Sequence, residues 1–236
     1  MHPIIPAIRD GLQKASDPQK ARQMQAYMKT EQPFYGVQAP ERRRLLRAAA
    51  RIYPITSRRQ YNRVILTLWN GKYREEMYQA LGVAEWIKAY RDAASFPLYE
   101  KLIKTAPNWD TLDWIAGKLV STLILSNRQL ESRLVAWSSS PNMWVRRASL
   151  LAHLHHRELT NTDLLAETIL KLAPEKAFFI RKAIGWVLRD YSYTDPHWVA
   201  RFIDRHAQVL STLSRREALA HIHRKAQKQH GAKPNL

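Results

Sequence analysis

The sequence predicts an all-α protein whose paired helices stack into a solenoid, and three observations predict it. First, a unit of about 35 residues recurs: NWDTLDWIAGKLV from Asn108, NMWVRRASLLAHL from Asn142, FFIRKAIGWVLRDY from Phe178 and LSRREALAHI from Leu213. In that spacing Trp109, Trp144 and Phe179 share one register, Arg146, Arg181 and Arg216 a second, and Asp113, Ala148, Ala183 and Ala218 a third. Second, the units are rich in Ala and Leu while the whole chain holds only 7 Gly, the composition of helix pairs that bury their apolar faces against neighbouring copies. Third, prolines mostly fall where helices begin or connect.

Taken in order, helices are predicted over about 2–15, 18–30, 40–52, 57–70, 73–90, 95–105, 109–126, 128–138, 142–156, 161–171, 175–191, 195–207 and 213–229. Asp17-Pro18 and Ala39-Pro40-Glu41-Arg42 read as helix starts, with Pro in the first turn, where its missing N–H costs nothing. Glu41 there sits favourably at the positive end of the helix. Residues 31–38, EQPFYGVQ, are the clearest non-helical connection. Helices 109–126, 142–156, 175–191 and 213–229 carry the four copies above. No linker divides the chain, so residues 1–228 are expected to form one domain, with 229–236 a basic, frayed tail.

Among 236 residues, 45% are apolar, enough for a sizeable core. The absence of cysteine excludes disulfides and cysteine-ligated metals. No apolar run approaches the roughly 18 residues that span a bilayer, and the start, MHPIIPAIRDGL, lacks the features of a signal peptide. A cytoplasmic protein is the expectation. Lys plus Arg number 38 against 20 Asp plus Glu, a formal charge of +18. Such self-repulsion is usually kept for a polyanion whose counterions are released on binding, so nucleic acid is the expected partner. The charges spread along the chain instead of gathering on one amphipathic segment, which argues against a membrane surface.

Within this frame Asp113 needs an explanation, because it replaces the small packing residue of the other copies. A buried, unpaired carboxylate costs several kcal/mol. It is either tied to an arginine of the next unit or functional. At about 100° per residue, Trp109, Asp113, Arg147, Lys182, Trp186 and Arg189 fall within an arc of roughly 120°, with Arg146, Arg181 and Arg216 nearly opposite. Trp109 and Trp186 are each compatible with core packing or with exposure on that arc.

Phosphodiester scission generally uses metal-binding acidic clusters, and none lies near Asp113. His153, His155 and His156 lack zinc-site spacing and read as solvent-facing or packed. Glycosidic hydrolysis usually takes two carboxylates, but a leaving group that is already cationic needs no acid. One carboxylate that stabilises a positive deoxyribosyl centre and orients water would then suffice, helped by indole faces.

These residues make the chain resemble the AlkD family of bacterial DNA alkylation repair glycosylases, built from HEAT-like repeats. The resemblance is carried by MHP at the start, ARQMQAYMKTEQPFYGVQAPERRRLL (21–46), NWDTLDWIAGKLV (108–120), NMWVRRASLL (142–151), KAFFIRKAIGWVLRDY (176–191) and LSRREALAHI (213–222), in the same order and spacing. It implies a right-handed, C-shaped HEAT-like solenoid with a basic concave groove for duplex DNA. It also implies a monomeric, monofunctional glycosylase that removes cationic N3- and N7-alkylated purines without metal, cofactor or base flipping. The family's catalytic aspartate falls on Asp113 and its two active-site tryptophans on Trp109 and Trp186. Its arginine beside the lesion falls on Arg147, a second arginine on Arg189, and two DNA-contact positions on Gln38 and Tyr27. Lys182 joins the DNA-binding set from its place on the arc. On this resemblance Asp113 faces DNA and not a salt bridge. Two other readings stand beside it: a non-catalytic or lesion-sensing DNA binder, and a helical scaffold for an acidic protein.

Overall fold

The computed structural model describes the backbone of residues 1–231 and the side chains of residues 1–222. The expected basic tail from 229 onward lies outside the described side chains. Among the described residues there is no strand, and the chain forms two compact units that divide at Leu98 and Tyr99.

In the first unit, α1 (Ile4–Lys14) buries Ile4, Ile5, Ile8 and Leu12, one apolar stripe at helical spacing. Asp17 caps α2 (Pro18–Met28), its Oδ1 accepting from the N–H groups of Gln19 and Lys20 at 3.0 Å each. Lys29, in the left-handed region at φ 49°, ends that helix. The connection to α3 (Ala39–Ile52) is held from α5 (Arg74–Trp86). The Glu75 carboxylate is fully buried and accepts from the backbone N–H of Tyr35, Gly36 and Val37 at 2.9–3.1 Å. Gly36 sits at φ +87°, and a Cβ there would lie 2.1 Å from the carbonyl oxygen of Asp17, so only glycine fits. Its neighbour Arg74, also fully buried, donates to Gln32 Oε1. The stretch read as a loop is thus a loop with a dedicated internal anchor. Between these elements α4 (Arg58–Trp69) packs on α5, burying Tyr61, Val64, Ile65 and Leu68, and Tyr61 Oη donates to the carbonyl of Ala84.

The second unit follows α6 (Phe96–Lys104) with the repeat itself. The predicted helix 109–126 is continuous but not uniform: α7 (Trp109–Trp114) passes through a π-helical segment (Ile115–Val120) into α8 (Ser121–Ser126). Next come α9 (Glu131–Ser138), α10 (Met143–Leu151), α11 (Thr162–Leu172), α12 (Phe178–Tyr191), α13 (Pro196–Arg205) and α14 (Thr212–Gly231). Ala148, Ala183 and Ala218 are all fully buried, as the repeat register predicts for the small residue between stacked helices.

Two boundaries differ most from the sequence-based expectation. Helix 73–90 ends its α-helical part at Trp86, and helix 142–156 stops at Leu151. The second stop has a tertiary cause. His155 and Arg157 take left-handed φ values of 67° and 52°, and the His155 N–H donates to Asp190 Oδ2 of α12 at 2.8 Å. His153 and His156 turn into the interior while His155 faces solvent. His156 Nε2 meets the carbonyl of Ser121 at 3.1 Å, and Ser121 Oγ donates to the carbonyl of Leu154 at 2.6 Å. The connection after α10 is therefore bound to the helix that continues the π-helical segment.

Candidate active site

Two of the three repeat helices that carry candidate residues, α7 and α10, start from a side-chain cap, whereas α12 begins after Ala177 without one. Asn108 Oδ1 accepts from the Trp109 N–H, and Asn142 Oδ1 accepts from the Trp144 N–H, both at 2.8 Å. These caps fix where α7 and α10 begin, and so which residues face the neighbouring repeat. Trp109 is half-buried at the first position of α7, and Asp113 follows one turn later on the same face.

Asp113 is engaged in a salt bridge, contrary to the expectation that it stands free of one. Arg147 of α10 donates from Nε to Oδ1 and from Nη2 to Oδ2, both at 2.8 Å, a bidentate pair. The remaining nitrogen, Nη1, donates to the carbonyl of Phe179 at the start of α12, and the guanidinium lies 5.8 Å from the centre of the Phe179 ring. Three successive repeats are tied through one guanidinium. The Arg147 side chain is only 5% exposed, whereas 13% of the Asp113 side chain remains open to solvent. Burial pushes the Asp113 carboxyl above its ordinary range, and the Arg147 donors pull against that rise.

Its neighbour Arg146 points elsewhere. It makes a bidentate pair with Glu175 at 2.7 and 2.9 Å and donates to the carbonyls of Ser140 and Pro141, so it covers the next unit. Of the register aromatics, Trp144 and Phe179 pack ring against ring at 5.0 Å.

On α12, Lys182, Trp186 and Arg189 follow at helical spacing, with Trp186 half-buried between the two cations. Both cations converge on a residue that did not figure among the candidates, Glu217 of α14. Lys182 Nζ lies 2.8 Å from Oε1, and Arg189 Nη1 lies 2.6 Å from Oε2. The hydrogen bond from Lys182 chiefly holds the Glu217 carboxyl below its ordinary range; burial works against it and Arg189 adds to it. The arrangement was open to the repeat register, since Glu217 stands 35 residues after Lys182, which stands 35 after Arg147.

Tyr27 and Gln38 belong to the first unit. Tyr27 is 73% exposed on α2, and Gln38 is exposed at the N-cap of α3, without a side-chain capping bond.

What the second unit offers chemically is one partly exposed carboxylate, fixed in orientation by a fork of two hydrogen bonds, one turn from an indole. Among the described residues no group of three or more His, Asp or Glu side chains is placed to hold a metal ion. No described helix is long and apolar enough to cross a membrane.

Comparison with curated protein sequences returns no match. Among solved structures, a predicted DNA alkylation repair enzyme from Enterococcus faecalis is similar, with a TM-score of 0.80 and 28% sequence identity over 88% of this chain and 96% of that one. The family model described as DNA alkylation repair enzyme matches residues 8–222. With nearly the whole described chain inside that match and its helical-repeat fold shared with the solved structure, the protein belongs to the DNA alkylation repair enzyme family, which assigns it a role in DNA repair.

Proposed function

We propose that the protein is a monofunctional DNA glycosylase that hydrolyses the N-glycosidic bond of cationic N3- and N7-alkylated purines, such as 3-methyladenine and 7-methylguanine, in duplex DNA. The observation that carries this reading is the Asp113 carboxylate, oriented by Arg147, left partly open to solvent and set one turn from Trp109.

An alkylated purine departs as a neutral base, because the electron pair of the C1′–N bond discharges its ring cation. No acid is then needed to protonate it. Positive charge develops instead on the deoxyribose, and a fixed carboxylate placed against that charge stabilises the transition state more than the ground state. Water adds to C1′ and loses its proton to solvent, with Asp113 accepting a hydrogen bond from it. The indoles of Trp109 and Trp186 supply faces that attract a cationic sugar or base, worth roughly 1–2 kcal/mol each when desolvated. In this reading Arg147 acts through Asp113, while Lys182 and Arg189, with Tyr27 and Gln38 of the first unit, meet the DNA backbone. The base stays largely stacked, the protein works as a monomer, and neither metal nor cofactor takes part.

A second reading has a specific observation behind it. A bidentate pair this buried is also how a repeat would tie itself together, and Lys182 and Arg189 are both paired within the protein. On that reading the protein holds DNA without cutting a glycosidic bond.

The test is release of 7-methylguanine and 3-methyladenine from methylated duplex DNA in the presence of EDTA, with Asp113→Asn alongside. Release by the wild type and its loss in a folded Asp113→Asn protein are expected. No release by the wild type, with DNA binding intact, selects the binding protein.

A further inference from the structure

We infer that Glu217 occupies, in the free protein, the seat of a DNA backbone phosphate between Lys182 and Arg189, and yields that seat when duplex DNA binds. The inference rests on the reading that this face of α12 meets DNA.

The geometry is that of an anion site already filled. Lys182 and Arg189 stand seven residues apart on α12, about 10 Å along the helix axis, yet their charged ends close on the two oxygens of one carboxylate at 2.8 and 2.6 Å. Two cations converging on a pair of oxygens is how a phosphodiester is also held. Neither cation is used up: an ammonium has three donors and a guanidinium five, and each spends one on Glu217. Lys182 is 38% exposed and Arg189 29%, so both can turn a free donor to an incoming phosphate.

The contrast with Arg147, one register step back, sharpens the point. Arg147 is 5% exposed and its guanidinium is engaged on all three nitrogens. That pair is built to stay, whereas the cations paired with Glu217, itself 19% exposed, are several times more open than Arg147, so solvent screens their pairs more and makes them the easier to exchange. The backbone behind Glu217 is fixed: a Cβ on Gly185 would lie 2.5 Å from the Glu217 Cβ, so α12 and α14 meet at glycine distance. Only the carboxylate end has freedom to swing.

Glu217 is then a specificity-determining residue. Its negative charge opposes every phosphate that approaches Lys182 and Arg189, so an undamaged duplex is held less tightly than the two cations alone would hold it. Trp186 lies between those cations in the helical spacing of α12, the position from which contacts with a lesion would favour displacement on damaged DNA.

The experiment is a salt titration of binding to an undamaged duplex of about two helical turns, using the full chain, with 7-methylguanine release measured on the same preparations and folding checked by thermal melting. Glu217→Gln is expected to bind roughly 3- to 10-fold more tightly, and to steepen the slope of log K against log salt by about 1, because a cation has been freed for phosphate. In a Lys182→Gln, Arg189→Gln background, Glu217→Gln is expected to change neither quantity. If Glu217→Gln does not fold, Glu217→Ala replaces it: charge and bridge are both removed, and tighter binding than wild type is again expected. Equal or weaker binding with an unchanged slope overturns the inference and leaves Glu217 a structural partner. A wild type that excises alkylpurines while these variants behave so would keep the proposed function and remove this inference alone, whereas a wild type that binds no duplex would remove both.

Discussion

Arg147 grips Asp113 edge-on, with each carboxylate oxygen 2.8 Å from its own guanidinium nitrogen, and spends its third nitrogen on the carbonyl of Phe179. A phosphate could reach that guanidinium only by breaking bonds that hold three repeats together. Arg147 therefore acts through Asp113, and its removal has a signature that a lost phosphate contact lacks. Burial already raises the Asp113 carboxyl, and Arg147 opposes the rise. In Arg147→Met the opposition disappears, so the carboxyl moves further up and Asp113 is protonated at a higher pH. Excision that needs the carboxylate ionised is expected to lose its acid limb at a higher pH than wild type, while the salt slope of binding stays the same. The pH profile of 7-methylguanine release from about pH 5 to about pH 9 reads the first, and a salt titration reads the second. An unmoved acid limb would remove Asp113 ionisation from the reaction.

Gly185 allows α12 and α14 to touch. A Cβ there meets the Glu217 Cβ at 2.5 Å and the Ser214 carbonyl oxygen at 2.9 Å, and the second of these is backbone that cannot rotate away. Alanine normally gains helical stability over glycine, by up to about 1 kcal/mol, but overpacking of this kind costs about 1–3 kcal/mol. Gly185→Ala is expected to be net destabilising, lowering the melting temperature by several degrees. A melting temperature at or above wild type would mean the two helices have slack, and the seat between them is not rigid.

How much of this was legible depends on where each cause lies. The register of Ala148, Ala183 and Ala218 came directly from the 35-residue period, and all three are buried between helices as that period requires. The same phase put Arg147 on the inner arc and Arg146 opposite, and the two arginines do take different partners, Asp113 and Glu175. The same register also paired Lys182 with Glu217, a relation that the basic character of the C-terminal segment obscured. Other features have no local signal. Nothing in IAGKLV separates a π-helical segment from an α-helix, because the apolar pattern runs through unbroken. Nothing in AHLHHR stops a helix, since the stop comes from Asp190 of a different helix capturing the His155 N–H. The bidentate grip on Asp113 is likewise tertiary: the residues left open a pair with an arginine of the next unit, the resemblance favoured an open face instead, and the pair with Arg147 overturns that choice.

Glu75 is a carboxylate with no solvent and three backbone donors. Glu75→Gln keeps the shape but leaves one acceptor oxygen and places an amide donor against backbone N–H groups. Hydrogen bonds to a charged acceptor are worth about 1.5–3 kcal/mol each, so a loss of roughly 2–4 kcal/mol is expected. It should be concentrated in the connection before α3. Hydrogen exchange reads this directly: the Tyr35, Gly36 and Val37 amides are expected to exchange much faster in the variant, while those of α10 and α12 hardly change. Uniform acceleration across both units would show that Glu75 supports global stability and not this loop.

The buried histidines give the fold an acid sensitivity that precedes its carboxylates. Burial pushes His153 down to about 3 and His156 down to about 4, from an ordinary 6.5, and their rings lie 6.1 Å apart, so a charge on one further opposes a charge on the other. Above about pH 7 both are neutral folded or unfolded and contribute no pH dependence. As pH falls below 6.5 the unfolded chain takes up protons that the folded one refuses, so stability is lost progressively, and the loss is complete only below the folded values. At about 1.4 kcal/mol per unit of difference, several kcal/mol are at stake in this window. Carboxylates such as Glu100 act lower. Burial would raise it, but hydrogen bonds from Arg133, Trp137 and Lys104 outweigh burial and hold it down to about 2, so its contribution is lost only as pH falls from its ordinary 4.5 toward that value. His153 has an Nε2 buried without a hydrogen-bond partner, so His153→Leu removes a titrating group without deleting a bond at that atom. Urea unfolding at about pH 7.5 and about pH 5 is expected to show a large loss for wild type and a clearly smaller one for His153→Leu. Equal losses in the two proteins would mean that the interior at the α10 turn admits the proton, and that acid sensitivity in this range has another source.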